Sequence, residues 1–271
     1  MQGGEGKLMR ITIAGYGSIG HYVETVFGTI HEIVPYDPPM GLGSLSDLID
    51  TDFVFICVPT PPRDDGSADT SAVEEVVSLA RPRVAIVCES TVPVGTTQRL
   101  IDTYHKPLVF VPEYAGESAS HPLRDPAARS FFIYGGHGAT AEAVRDLFAG
   151  VYSPAARHMI TTPPTAEMAK YMENAFLAMK VAFCNEFFDL CNASGVEYEA
   201  ARELWLQDDR IGESHTVVTE ERGYGGKCLP KDVAAICAVG QELGVPMQIL
   251  EAVQSANARH RALALVEAVS R

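Results

Sequence analysis

The sequence predicts an α/β fold in which a doubly wound parallel sheet is followed by an all-helical second domain. Up to about residue 160, short β-branched runs alternate with helical stretches, as in a parallel sheet covered on both faces. The strand signal then stops, and a stretch without glycine or proline, residues 165–193, has the length of one long helix. The 271 residues suffice for two ordinary domains. We expect residues 1–162 to form the first domain and residues 163–271 the second.

Each predicted element has a local signal. Residues 18–30 place apolar side chains on one face at helical spacing, which suits a crossover helix packed on a sheet. The predicted strands are residues 10–14, 32–36, 53–58, 84–89, 108–111 and 131–134. The predicted helices of the second domain are residues 165–193, 197–207, 230–243 and 246 to the end.

Charge and composition exclude several classes of protein. The formal net charge of -14 opposes binding to nucleic acid or to an anionic membrane surface. The amino end lacks the apolar stretch of a signal peptide and no window resembles a membrane span, so we expect a cytoplasmic protein. The six cysteines show no paired metal-ligand spacing, and we expect thiols and no metal site.

A glycine-rich motif follows the first predicted strand and opens the first helix. In this context Gly15, Gly17 and Gly20 let the backbone approach a pyrophosphate at the positive end of the helix, as in a Rossmann-type domain. Asp37, at the end of the second strand, is placed to bind a ribose diol. Prolines follow it and no arginine is adjacent, which favours NAD over NADP. The predicted cofactor-binding residues here are Gly15, Tyr16, Gly17, Ser18, Ile19, Gly20 and Asp37.

Two further strands end in polar turns that face the same edge of the sheet. Ligands of such sheets bind beyond the carboxyl ends of the strands, so both turns are expected to contact the cofactor. The alternative is that threonine and proline simply terminate these strands. The residues concerned are Val58, Pro59 and Thr60 in one turn and Ser90 and Thr91 in the other.

The segment Gly223-Tyr-Gly-Gly-Lys-Cys228-Leu-Pro-Lys-Asp232 points to nucleophilic chemistry. Its glycines permit close approach of the backbone to a ligand, and Pro230 suits the first turn of a helix. Cys228 then lies at a helix amino end between Lys227 and Lys231, surroundings that favour a thiolate. A structural cysteine is the alternative. The other five cysteines lie in apolar runs and are expected in the core.

The motifs together resemble the UDP-glucose/GDP-mannose dehydrogenase family over nearly the whole chain. The matching segments are GYGSIG, VPTP, STVPVGTT, PEYAGES, AEMAKYMENAFLAMKVAFCNE, DRIG and GYGGKCLPKD. The resemblance implies a four-electron oxidation of an alcohol to an acid, with two NAD molecules used in turn. Aldehyde, thiohemiacetal and thioester would be the intermediates, and Cys228 the nucleophile.

The resemblance also implies roles for individual residues. Lys170 and Asn174 would hold the substrate oxygen, and Glu113 or Asp232 would activate the water that hydrolyses the thioester. Thr91 and Glu117 would lie at the cofactor and substrate, with Lys231 near the cofactor. Arg210 would reach the substrate of a neighbouring subunit. Alternatively, Glu113, Glu117 and Arg210 are solvated surface charges, and Lys170 is a helix residue that extends its ammonium to solvent. The remaining predicted substrate contacts are Arg222, Tyr224 and Gly225.

The sequence departs from the family pattern in ways that bear on the substrate. It ends at Arg271, where the family continues into a third domain that grips the nucleotide, and the first domain is shorter after Asp37. The loop before the Gly-rich segment also carries Glu220 and Glu221, which would oppose a diphosphate. These features predict a short member whose substrate is smaller, less anionic or attached to something else. Arg222 and Arg210 are then candidates for a single phosphate or carboxylate.

Two other functions remain as alternatives. A two-electron dehydrogenase for a β-hydroxy acid also pairs a Rossmann-type domain with a helical one, but it needs no cysteine. A non-catalytic NAD-binding sensor is the other. The second domain is too small to bury its apolar helix faces alone, so a homodimer through the long helices is expected. The predicted ligands are NAD and a small alcohol.

Overall fold

The structure, a computed structural model, describes residues 8–114, 123 and 125–269. They fall into two compact units. The first takes in the chain as far as Pro61 together with Asp69–Lys170, and the second takes in Pro62–Ala68 and Tyr171 onwards. The division lies inside the long helix, after Lys170. The predicted boundary near residue 162 therefore stays a prediction.

The first unit is built on a seven-stranded sheet with strand order β2-β1-β3-β4-β5-β6-β7. The strands are β1 Arg10–Ala14, β2 Glu32–Tyr36, β3 Phe53–Ile56, β4 Ala85–Cys88, β5 Leu108–Phe110, β6 Phe131–Gly135 and β7 Arg157–Thr161. Its helices are α1 Ser18–Phe27, α2 Ser71–Leu79, α3 Thr96–Tyr104 and α4 Gly138–Ala149.

Alternating side chains divide the core of this unit between the two faces of the sheet. Ile13 and Phe55 pack with α1 and α4 in one cluster, whereas Val54 and Ile56 pack with α2 and α3 in the other. Each fully buried side chain of this size contributes about 1.5–3 kcal/mol. The sheet is therefore covered on both faces, which confirms the predicted doubly wound α/β class.

Two features of the sheet differ from the prediction. β6 pairs antiparallel with β5, and β7 was not predicted at all. In its described part, the connection from β5 to β6 holds a short 3-10 turn, Pro126–Ala128, in place of the crossover helix that a parallel neighbour needs. β7 lies at the edge of the sheet, and its burial does not alternate along the strand, so its sequence carries no period of two.

The second unit is helical. Its helices are most of α5 Pro163–Ser194, then α6 Tyr198–Trp205, α7 Cys228–Glu242 and α8 Gln248–Val269. Small residues of α5, Ala178 and Ala182, meet Val233 of α7 and Val253 of α8 in its core, with the ring of Tyr224 among them. This confirms the all-helical region predicted after the sheet. In the part of the chain that is described, no helix has both the length and the apolar character needed to cross a membrane.

Candidate active site

The strand register brings the functional loops of the first unit to one edge. Ala14, Ile56, Cys88 and Phe110 are aligned across β1, β3, β4 and β5. The residues that follow each strand therefore emerge side by side at the carboxyl edge. The order reverses between β1 and β3, because β2 lies on the other side of β1. Such a reversal is where α/β sheets bind ligands.

The glycine loop has the geometry of a phosphate cradle. Gly15 has a φ of 92°, and a Cβ there would come within 2.7 Å of the backbone at Cys57 and Val58. A Cβ on Gly20 would approach the Gly15 carbonyl oxygen to 2.3 Å, so only glycine allows α1 to pack this close to the loop. Around Gly17, in contrast, a Cβ would meet nothing within 4 Å. The space next to Gly17 is thus open, and it lies beside the amino end of α1.

Asp37 and the neighbouring turns are ordered by hydrogen bonds to the backbone. The Asp37 carboxylate accepts from the Tyr16 amide at 2.9 Å, which joins the predicted ribose-binding acid to the glycine loop. Thr60 is buried and donates to the Thr91 carbonyl at 2.8 Å, and Ser90 donates to the Val58 carbonyl at 2.7 Å. Both hydroxyls thus tie one turn to the other. The cofactor contacts predicted for these turns remain predictions.

A buried ion pair holds Glu113 just beyond β5. The Arg129 guanidinium donates to Glu113 Oε1 at 2.5 Å, and the side chains are only 2% and 7% exposed. The Tyr114 amide donates to the same oxygen at 2.6 Å. The alternative interpretation of Glu113 as a solvated surface charge is therefore wrong. Arg129 was not predicted, because it lies sixteen positions after Glu113 and no motif marks the pair.

Lys170, near the start of α5, is also buried. Its ammonium lies 4.2 Å from the centre of the Tyr114 ring, and the Arg129 guanidinium lies 5.7 Å from the same ring centre. Such cation–π contacts favour a fixed position for an ammonium that has left bulk water. Lys170 is 6% exposed, so the alternative of a solvated helix lysine is wrong.

Cys228 lies where the sequence placed it. It is the first residue of α7, its side chain is exposed, and it carries a thiol rather than a disulfide. Backbone N–H groups at a helix amino end favour a thiolate. Of the two flanking lysines, Lys231 donates to Asp232 at 2.6 Å, so its charge is shared with that carboxylate.

Asp232 is the most buried of the predicted catalytic residues, at 1% exposed. It accepts from the Asn174 amide at 2.5 Å and from the Lys231 ammonium. The amide of Asn174, predicted to stabilise a substrate oxyanion, therefore binds a carboxylate of its own unit. Asn174 thus orients Asp232 in this structure, and its predicted contact with substrate is untested.

The Gly-rich segment before Cys228 is held by α8, a contact that no sequence motif indicates. The Asn257 amide accepts from the Tyr224 N–H at 2.6 Å and donates to the Tyr224 carbonyl at 3.0 Å. One turn along α8, Arg261 lies so close to Gly225 that a Cβ there would be 3.0 Å from its guanidinium. The only sequence signal was a polar pair at helical spacing, which any exposed helix face shows.

Arg222 is engaged inside the second unit. It is buried, and its guanidinium donates to Asn185 at 2.8 Å and to Asp189. Its backbone has a φ of 51°, a conformation that the buried contacts hold in place. Its charge is thus balanced by Asp189, and the predicted contact of Arg222 with a substrate anion remains a prediction.

The structure says less about the other residues singled out from the sequence. Arg210 is exposed and pairs with Asp208, two residues before it. Glu117 lies outside the described residues. Among the cysteines predicted for the core, Cys88 and Cys184 are buried, whereas Cys57, Cys191 and Cys237 are half-buried.

Known proteins match this arrangement in sequence and in fold. The profile of the NAD-binding domain of the UDP-glucose/GDP-mannose dehydrogenase family matches residues 44–125, and that of the family's central domain matches residues 164–259. The first match confirms NAD as the cofactor. A UDP-glucose 6-dehydrogenase of Pseudomonas aeruginosa is 36% identical over an alignment of 232 residues that covers 80% of this chain and 50% of that protein.

Solved structures agree on the fold. A UDP-glucose dehydrogenase of Pyrobaculum islandicum superposes with a TM-score of 0.83 at 24% identity, over 96% of this chain and 70% of that one. A UDP-D-ManNAc dehydrogenase of Pyrococcus horikoshii gives a TM-score of 0.79 at 25% identity, over 97% and 72%. The chain spans about half the length of the curated relatives it matches.

Proposed function

This chain belongs to the UDP-glucose/GDP-mannose dehydrogenase family, and we propose that it oxidises a primary alcohol to a carboxylic acid with NAD. The substrate is a sugar nucleotide or a smaller alcohol. The observation that carries the proposal is the exposed Cys228 thiol, the first residue of α7, directly after a Gly-rich segment that Asn257 holds. A structural cysteine would need neither the exposure nor the fixed loop.

The glycine loop and Asp37 would hold the cofactor. The open space at Gly17 and the amino end of α1 suit the pyrophosphate, and Asp37, fixed by the Tyr16 amide, suits a ribose diol. NAD, when bound, supplies a hydride acceptor for each of two successive oxidations.

Cys228 supplies the covalent chemistry. After the alcohol has lost one hydride and one proton, the Cys228 thiolate adds to the aldehyde carbon, a C–S bond forms, and the carbonyl oxygen takes up a proton to give a thiohemiacetal. Loss of a second hydride and a proton leaves a thioester. Water then attacks the thioester carbon, a C–O bond forms, the C–S bond breaks, and the acid leaves with the Cys228 thiolate restored.

Five other side chains have roles in this scheme. Lys170 and Asn174 would hold the substrate oxygen and stabilise its negative charge. Glu113 would take the proton of the attacking water, because the contact with Arg129 fixes its carboxyl group, and Asp232 is the alternative base. Thr91, on the turn after β4, would contact the cofactor and substrate.

The loop before the Gly-rich segment bears on the substrate. Glu221 pairs with Arg261 at 3.2 Å, and Arg222 is occupied by Asp189. The acids Glu220 and Glu221 add negative charge to this loop, which opposes a diphosphate, and Arg222 attracts an anion less because Asp189 pairs with it. We therefore favour a substrate less anionic than a standard nucleotide sugar, and tight saturable binding of UDP-glucose would contradict this part of the proposal.

Mass spectrometry of the protein with NAD and a panel of nucleotide sugars, sugar phosphates and simple alcohols tests the function. The native chain is compared with Cys228→Ser and with Cys191→Ser, which removes a half-buried thiol of α5 as a control. We expect an acid product or a covalent adduct in the native and Cys191→Ser chains and none in Cys228→Ser.

The stoichiometry of NADH separates the competing functions. Two NADH per acid formed support the four-electron scheme. One NADH per substrate, with the Cys228→Ser chain fully active, would indicate a two-electron dehydrogenase. NAD binding without turnover of any panel member would favour a sensor.

A further inference from the structure

Two asparagines bind the backbone of the Gly-rich segment that leads to Cys228. Asn257 of α8 accepts a hydrogen bond from the Tyr224 N–H at 2.6 Å and donates one to the Tyr224 carbonyl at 3.0 Å. Asn185 of α5 is 1% exposed and accepts from the Gly223 N–H at 3.1 Å. Two successive residues of the segment are thus held by side chains of two different helices of the second unit.

Two glycines of the segment make room for α8. Gly223 has a φ of 60°, and a Cβ there would overlap the side-chain oxygen of Asn257. A Cβ on Gly225 would lie 3.0 Å from the guanidinium of Arg261, one turn further along α8. The side chains of α8 thus occupy the space that these glycines leave. The absence of side chains here allows Asn257 to reach the backbone of Tyr224.

Cys228 follows this fixed point closely in the chain. Only two glycines and a lysine separate it from Tyr224. At Gly226, the second of these glycines, the φ is 73° and a Cβ would meet nothing within 4 Å, so this part of the segment gains little from packing. On the other side of Cys228, α7 is fixed in the helical core through Val233. The place of the thiol is therefore set by the Tyr224 backbone on one side and by α7 on the other.

We propose that Asn257 is a positioning residue for Cys228. By binding both backbone groups of Tyr224, it fixes where the chain enters α7, and with it the place of the thiol relative to the N–H groups of the first turn. Those N–H groups favour a thiolate at a helix amino end. The inference rests on the proposed function only for the role of Cys228 as the nucleophile.

The backbone groups of Tyr224 lie where the loss of a partner has consequences. The residue is 5% exposed, and its ring packs among the helices of the second unit. A buried N–H or C=O is costly to leave unpaired, so without Asn257 the chain shifts until water or another group binds it. Because the ring is held in the core, the shift falls on the glycines that lead to Cys228. Removal of Asn257 should therefore displace the start of α7.

Alkylation of the full chain tests this positioning without substrate. Iodoacetamide is added at neutral pH, and mass spectrometry of the peptides gives the rate at each cysteine. In Asn257→Ala we expect the rate at Cys228 to fall about two- to fivefold, the size of the stabilisation that a helix amino end gives to an anion. Asn257→Leu, which keeps the bulk of the side chain and neither hydrogen bond, should slow the reaction equally. An unchanged rate at Cys228 in either folded variant would overturn the proposal.

Two controls separate positioning from general damage to α8. Arg259→Ala removes an exposed ion pair of the same helix and should leave the rate at Cys228 unchanged. Cys88 and Cys184 are buried, so their alkylation reports unfolding and should stay slow in every variant. If Asn257→Ala exposes them, Asn257→Leu takes its place. Equal slowing at Cys228 in Arg259→Ala, or unfolding of both Asn257 variants, would contradict a positioning role.

Turnover gives a second readout and separates the two failures. With a substrate that is oxidised to an acid, Asn257→Ala should lower kcat about 10- to 100-fold, as a misplaced nucleophile does, and leave the affinity for NAD unchanged. A merely structural role would lower the melting temperature and not kcat. If alkylation slows as expected and no substrate is turned over, the positioning stands and the proposed function fails. If turnover needs Cys228 but neither its alkylation nor kcat changes in Asn257→Ala, the function stands and the inference fails.

Discussion

Gly15 and Gly17 differ in what a methyl group would meet, although both belong to one loop. At Gly15, alanine combines a positive φ, a strain of about 1–3 kcal/mol, with a clash against the backbone at Cys57. At Gly17 the backbone is extended and the space is open. We expect Gly15→Ala to lower the melting temperature, whereas Gly17→Ala should fold normally and lose NAD affinity, about tenfold or more, by filling the pyrophosphate space.

Calorimetry of unfolding and titration with NAD measure the two effects on the same samples. If Gly17→Ala bound NAD as the wild type does, the space above the loop would not be the cofactor site. An unchanged melting temperature in Gly15→Ala would show that the loop can relax.

Glu89, directly after β4, makes stability depend on pH. Burial raises its pKa in the folded protein, so the folded state binds a proton that the unfolded state releases above about pH 4.5. The stability from this proton is complete below that pH and is lost as the pH rises through the folded pKa. Because glutamine is neutral throughout, Glu89→Gln should melt higher than the wild type at pH 8, and the difference should narrow towards pH 4.

Melting curves across this range test the prediction against Glu186→Gln, an exposed acid of α5. Parallel curves for wild type and Glu89→Gln would mean that Glu89 titrates normally. If the difference in melting temperature between Glu89→Gln and the wild type widened towards low pH, the pKa of Glu89 would not be raised in the folded state.

At the level of elements, α3 depends on a residue far away in the chain. Glu167 of α5 is fully buried and accepts from the Gly95 and Thr97 amides, at 2.6 and 2.8 Å, where α3 begins. Removing it leaves the buried Thr97 N–H and the half-buried Gly95 N–H without this acceptor, at up to about 1–3 kcal/mol each. We expect Glu167→Ala to lose roughly 2–5 kcal/mol of unfolding free energy.

Chemical denaturation measures this loss, and Glu186→Ala serves as the matched control on the same helix. That variant removes an exposed pair with Arg259, worth at most about 1 kcal/mol. Equal losses in the two variants would show that Glu167 is not an essential cap.

The sequence predicted helices and strands well where the hydrophobic periodicity and the positions of glycine and proline agree. α5 was expected over residues 165–193 and runs Pro163–Ser194, since no glycine or proline interrupts it. α1 ends at Phe27, three residues early, because Gly28 takes the C-cap position. β7 was not predicted because apolar and polar residues do not alternate along this edge strand.

The site was predictable where a motif is contiguous in the chain. Cys228 and the glycine loop are of this kind. Arg129, Glu167, Asn257 and Arg261 were missed because each acts on a segment that is distant in sequence. The pairing of Arg222 with Asp189 was missed for the same reason, because a cationic residue beside a glycine-rich segment gives no sign of a carboxylate on another helix.

At the scale of the whole molecule, α5 carries an apolar stripe that this chain leaves exposed. Neighbouring members are three, four or seven residues apart, so they lie on one face of the helix. They are Met172, Phe176, Phe183, Phe187 and Leu190. Soluble monomers seldom leave such a contiguous patch in water. We propose that the same stripe of a second copy of the chain covers it. In a two-fold symmetric dimer both subunits use the same surface patch, so one apolar stripe can pack against its copy.

Sedimentation equilibrium tests this arrangement. Phe187→Glu places a carboxylate in the middle of the stripe, next to Phe183 at 4.6 Å between ring centres, and should shift the protein to monomer at concentrations where the wild type is a dimer. Leu243→Glu, at an exposed site just beyond α7, is the control and should leave the mass unchanged. A stable dimer in Phe187→Glu would place the interface elsewhere. A monomeric wild type at high concentration would remove the stripe as evidence for self-association.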